Sequence, residues 1–139
     1  MKPMRMHHVG IVLPTLEQAY TYIERMGLEV DYTGFVNAYH ADIIFTKPSE
    51  SSSPLEFIIP HEGVLTKFNG GKGGIAHVAF EVEDVEAVRE EFESKGMQML
   101  EEHAVVGIED VIIVNFLRPK FSDGILTEFV QTIGPVKRD

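Results

Sequence analysis

No cysteine occurs among the 139 residues, which excludes disulfides, thiolate nucleophiles and cysteine-type zinc sites together. Any metal must be held by nitrogen and oxygen ligands. Long apolar runs are missing as well. No stretch approaches the length of a membrane span, and Met1-Lys2-Pro3-Met4-Arg5 leads straight into a strand-like run with no signal-peptide core, so the reading predicts a cytoplasmic protein. Positive charge is scarce: 12 Lys and Arg are scattered against 22 Asp and Glu, for a formal charge of −10. Phosphate neutralisation needs a basic surface, so this balance disfavours nucleic acid as a partner while leaving room for a locally basic anion site. What remains, 44% hydrophobic and 24% charged residues, is a globular composition of single-domain length. A chain of this size buries roughly two thirds of its unfolded surface, so a metal would serve function and not hold the fold.

What is present is a repeat. His8, Val9, Gly10, Glu17 and Gly27 recur 69 positions later as His77, Val78, Ala79, Glu86 and Gly96. Leu55-Glu56-Phe57-Ile58 recurs as Thr127-Glu128-Phe129-Val130, 72 positions on. Two copies of one module thus supply two His and two Glu, an inventory of metal ligands produced by duplication.

Within each copy the patterning predicts βαβββ. Residues 6–13 alternate as a strand; Thr15 with Gln18 forms a capping box for a helix that Gly27 stops, and strands follow at about 29–36, 39–47 and 54–60. The second copy predicts a strand at about 75–82, a helix at about 84–95 ending at Gly96, and strands at about 98–106, 110–117 and 125–132. His61 to Gly74 is a Gly-rich connection between modules, and it lacks the strand-to-helix context and the Lys-Ser/Thr ending of a phosphate loop. Pro135 to Asp139 reads as a frayed tail. The fold class is α+β: two βαβββ modules in tandem (about 5–61 and 74–133) forming a cup-shaped mixed sheet around a metal site, in a single domain of residues 1–139.

Period 2 then decides direction. His8 shares a face with Gly10 and Val12, His77 with Ala79 and Glu81, while Glu56 and Glu128 oppose the apolar Phe57, Ile59 and Phe129. If the two sheets curl about a pseudo-twofold axis, the four polar side chains meet and suit one Zn²⁺, Co²⁺, Ni²⁺ or Mn²⁺ ion. A lone strand His is usually structural. The repeat changes that for His8 and His77 and leaves it for His7, His61 and His103, with His40 the exception because it opens a strand near the inferred cleft.

His8-Val9-Gly10-Ile11, Gly74-Ile75-Ala76-His77-Val78-Ala79-Phe80 and Phe116-Leu117-Arg118-Pro119-Lys120 followed by Gly124 to Glu128 resemble the vicinal oxygen chelate superfamily, and most of all its methylmalonyl-CoA epimerase and glyoxalase I branches. The resemblance covers nearly the whole chain. It implies paired βαβββ modules, a cup-shaped sheet, and metal ligands at His8, Glu56, His77 and Glu128; epimerases often carry Gln at the position of Glu56, glyoxalases usually Glu. It also implies an epimerase base just before the third strand of the first module, where Asn37 falls, with Asp42 or Glu128 as substitutes.

The reading predicts a divalent-metal isomerase or lyase that stabilises an enolate of a small carbonyl substrate, with Glu128 or Glu56 shuttling the proton. The substrate would be an α-branched acyl thioester or a 2-oxoaldehyde–thiol adduct, with Asn37, His40, Arg118 and Lys120 as substrate-binding candidates. The alternatives are an antibiotic-binding resistance protein, which tends to lack a full ligand set, and an extradiol-type Fe²⁺ dioxygenase, whose two-His one-carboxylate triad Glu56 would overfill. Exposed sheet edges and the first helix, with Tyr20, Tyr22 and Met26, predict a homodimer without membrane association.

Overall fold

A computed structural model describes residues 1–138. Two compact units divide it: one of residues 8–76 with the tail from Lys137, the other of Met1–His7 with residues 77–136. Strands β1 (Arg5–Val12) and β5 (Gly74–Glu81) each pass from one unit into the other.

The first unit continues through α1 (Leu16–Arg25), β2 (Val30–Val36), β3 (Ala41–Thr46) and β4 (Leu55–Pro60). Thr15 caps α1, its Oγ1 accepting the Gln18 N–H at 3.1 Å, and Gly27 at φ +68° ends the turn after it. The strands order as β2-β3-β4-β1, antiparallel except for the β1–β4 pair. Ala19 and Ile23 of α1 pack on Ile44 of β3 and on Phe57 and Ile59, the odd face of β4. Leu16, Tyr20 and Met26 share the helix's apolar spacing but stay exposed.

The second unit repeats this plan with α2 (Val85–Ser94), β6 (Val105–Ile108), β7 (Ile112–Leu117) and β8 (Thr127–Thr132), ordered β5-β8-β7-β6 with β5 and β8 parallel. Asp84 caps α2, accepting from Glu86 and Ala87 N–H groups at 3.0 and 3.2 Å. Val85 and Val88 pack on Val82, Met99, Leu117 and Phe129. The α+β class and the module order match the pattern, but the strand expected at 98–106 is confined to Val105–Ile108. The buried Asn115 amide explains the difference. It accepts from Glu101 N and donates to Glu101 O (3.1 and 3.0 Å), so a side chain takes the place of ladder bonds there.

That looped segment is also tied to α2. Glu86 accepts the Ala104 N–H at 2.6 Å and lies 3.1 Å from His103 and 3.0 Å from Arg89. The Ala104 N–H above all, then His103 and Arg89, hold the Glu86 carboxyl down at about 2. A folded-state value below the unfolded one stabilises above pH 4.5 and is lost as the pH falls through about 2. Such a shift is worth about 3 kcal/mol in full, and at a third-exposed side chain we expect roughly 1 kcal/mol. E86Q should lose that at pH 7 in urea unfolding, with the gap to wild type closing towards pH 2; a gap independent of pH would refute the assignment.

Candidate metal centre

Each unit carries one buried His–Glu pair, built the same way. On parallel strands, Glu56 sits across from Gly10, two residues beyond His8 on the same face, and His8 Nε2 lies 3.2 Å from Glu56 Oε1. Glu128 sits across from Ala79, two residues beyond His77, and His77 Nε2 lies 3.3 Å from Glu128 Oε1. The residue opposite each Glu is small in both copies, leaving the space into which the two side chains turn. All four are buried, His8 fully. The opposite faces of these strands face the helices, so the alternation deduced from sequence holds.

Phenylalanine closes each pair. Phe45 of β3 is the ladder partner of Glu56 and meets the His8 ring edge-on (5.2 Å, 88°). Phe116 of β7 is the ladder partner of Glu128 and meets His77 in the same way (5.6 Å, 83°). The two Phe lie 71 positions apart, between the 69 of the His and the 72 of the Glu, so the repeat carried a signal for them that was not used.

The donor chemistry fits a divalent ion. Each pair offers one imidazole nitrogen and one carboxylate oxygen, the set that suits zinc, cobalt, nickel or manganese and is foreign to soft-ligand sites. A carboxylate buried to 6–7% exposure in apolar surroundings also favours a positive charge beside it.

A family model for the glyoxalase/bleomycin resistance protein/dioxygenase superfamily matches residues 7–116, a span that contains His8, Glu56 and His77. The chain belongs to this superfamily. An ethylmalonyl-CoA/methylmalonyl-CoA epimerase of Cereibacter sphaeroides is 33% identical over 133 residues, spanning 91% of this chain and 97% of that protein. The mitochondrial methylmalonyl-CoA epimerase of Homo sapiens is 27% identical over 91% of this chain and 73% of its own length. A solved Streptomyces coelicolor methylmalonyl-CoA epimerase in complex with 2-nitronate-propionyl-CoA superposes with a TM-score of 0.83 at 26% identity, over 94% of this chain and 98% of that one. The Mycobacterium tuberculosis epimerase, with a TM-score of 0.84 at 24% identity over 97% and 90% of the two chains, shares the fold.

Against the superfamily frame the remaining candidates separate. Asn37 opens an exposed 3-10 turn, Asn37–Tyr39, so it does not stand directly before β3; His40 does. The expectation that placed Asn37 there missed this turn, which takes up three residues. His40 is exposed, with φ +49° and ψ +53° and its Nδ1 3.4 Å from Glu62. Asp42 pairs in register with Ile59 and thus shares the helix-covered face, where His61 holds it at 2.7 Å. Alternation would send His40 to that face too, but its left-handed backbone breaks the alternation and its side chain meets Glu62. Arg118 donates to Met99 O, 19 positions away, at 3.2 Å, and Lys120 lies 4.9 Å from the ring centre of its neighbour Phe121; both cations are exposed. A cavity of about 240 Å³, missed from sequence, lies between Val12, Pro60, Leu65, Phe68 and Gly73, on the His8 side of β1. Gly73 is required there: a Cβ would meet Val12 O at 2.2 Å.

Proposed function

We propose that this protein is a divalent-metal-dependent epimerase of a 2-branched malonyl-type acyl-CoA, such as methylmalonyl-CoA or ethylmalonyl-CoA. Two repeat-related, buried His–Glu pairs, in a chain 33% identical to an epimerase of that substrate class, carry the reading. His8, Glu56, His77 and Glu128 would hold one ion. An ion held by these four residues would supply Lewis acidity towards a substrate carbonyl, which would make the neighbouring C–H more acidic. The chain's own groups move the proton. Epimerisation needs one group to take the C2 proton and another to return a proton to the opposite face, with no net change in atoms or charge. Glu128 or Glu56 serves one face. His40, backed by the Glu62 carboxylate as imidazoles often are by a carboxylate partner, serves the other. Asn37 lies on the same turn and contacts the substrate, the cavity beside Val12 takes its apolar part, and Arg118 or Lys120 meets its anionic tail after a side-chain swing.

The test is exchange: incubation of the metal-loaded protein with methylmalonyl-CoA in deuterated water should replace the C2 proton and interconvert the epimers. Exchange on a hemithioacetal alone would move the reading to a lyase, and binding of an apolar drug with no tightly held metal would move it to a resistance protein. No exchange on any acyl-CoA would end it.

No helix among the described residues is long and apolar enough to cross a membrane, in keeping with a cytoplasmic placement. A homodimer through α1 is part of the same proposal, because Leu16, Tyr20, Tyr22 and Met26 leave that helix with an exposed apolar face. Light scattering should give twice the monomer mass of 15.6 kDa; the monomer mass at micromolar concentration would exclude the dimer.

A further inference from the structure

A phenylalanine closes each half-site, and in the His8 half that ring, Phe45, is itself backed. Behind Phe45 lies Tyr32 of β2, its ladder partner, stacked on it at 4.9 Å with the rings 16° apart. Over Tyr32 lies the Arg138 guanidinium, 5.9 Å from the ring centre. Arg138 reaches back 107 positions to grip Asp31 with two hydrogen bonds, one from Nη2 at 2.8 Å, and the Asp31 side chain is only 9% exposed. The tail expected to fray is thus fastened, and the Arg138 hydrogen bonds keep the Asp31 carboxyl below its ordinary range. Burial, then the negative charge of Glu56, pushes the Tyr32 hydroxyl up, so this brace is close enough to feel the half-site it backs.

We propose that Tyr32 and Arg138 of the tail are positioning residues for the His8 half of the metal centre, acting through Phe45 to fix the plane of the His8 imidazole. The proposal rests on the metal reading above. An imidazole held edge-on by a ring has one rotation about χ2 blocked, and a ring that is itself stacked and capped by a guanidinium cannot yield. Groups behind metal ligands of this kind commonly change affinity by 10–100-fold when removed.

The test is cobalt(II) titration of the metal-stripped protein, together with NMR of its two buried imidazoles before metal is added. F45L should weaken cobalt binding about tenfold. Y32L and the charge-balanced pair D31N/R138A should weaken it several-fold and shift or broaden the His8 ring signals while leaving those of His77 in place. Y32F, which keeps the ring, should behave as wild type, and R138K, which cannot grip bidentately, should resemble the loss. Wild-type affinity and an unchanged His8 signal in both Y32L and D31N/R138A would overturn the proposal, as would equal movement of both His signals, which marks general loosening. If the wild type takes up no cobalt, the metal reading fails, and the NMR arm still decides whether the brace fixes His8.

Discussion

Replacing His77 or Glu128 with alanine should remove the ion and the activity together while the protein stays folded. Both side chains are buried, yet neither belongs to the cluster of Val82, Val85, Val88, Met99, Leu117 and Phe129 that packs α2 onto its sheet. A chain of 139 residues buries enough apolar surface without a metal staple. The loss falls on binding and chemistry. With one donor gone, turnover should drop by at least about 10²–10³-fold, the scale set by removing a single charge-stabilising group from an active site. Elemental analysis should find the ion depleted in both variants, and circular dichroism should be unchanged. Unchanged metal stoichiometry in H77A and E128A would refute the ligand assignment, whatever the activity did.

His40→Ala should have the second large effect, of the opposite character. Metal content should be that of wild type, since His40 is exposed and lies outside the two pairs. Turnover between epimers should fall about 10²–10⁴-fold, the usual contribution of a positioned acid or base. Because the carboxylate on the other face remains, one epimer should still exchange its C2 proton in deuterated water without inverting. H40E, which restores a basic group at the same turn, should recover part of the loss, and D42N, on the helix-covered face, should leave turnover intact. A turnover in H40A within threefold of wild type would remove His40 from the reaction and return the question to Asn37 and the carboxylates.

Much of this was legible because duplication writes the same residue twice. His8 with His77 and Glu56 with Glu128 stood out by spacing, and period 2 put each pair on the face away from the apolar core, since a one-residue slip would have buried the wrong side. Helix starts at Thr15 and Asp84 and stops at Gly27 and Gly96 were readable for a local reason: capping side chains and left-handed glycines act within four residues. The class, the module order and the ligand candidates follow from such local and periodic signals.

Where the sequence misled, the deciding contact was distant or broke a period. Asn115 holds Glu101 out of a strand across 14 positions, and no pattern in 98–106 announces it. His40 adopts a left-handed backbone that alternation does not foresee, so only the coordinates sent it towards Glu62 while Asp42 went to the covered face. The polar tail looked frayed, and a salt bridge from Arg138 to Asp31 holds it. By itself the sequence determined the fold class, the family and the residue types of a metal centre, because repeats, alternation and caps are properties of neighbouring residues. Only the tertiary structure decided which side chains touch within each half-site and that Tyr32 and Arg138 stand behind Phe45, because those contacts join residues that the chain separates by tens of positions and cost nothing recognisable in local pattern.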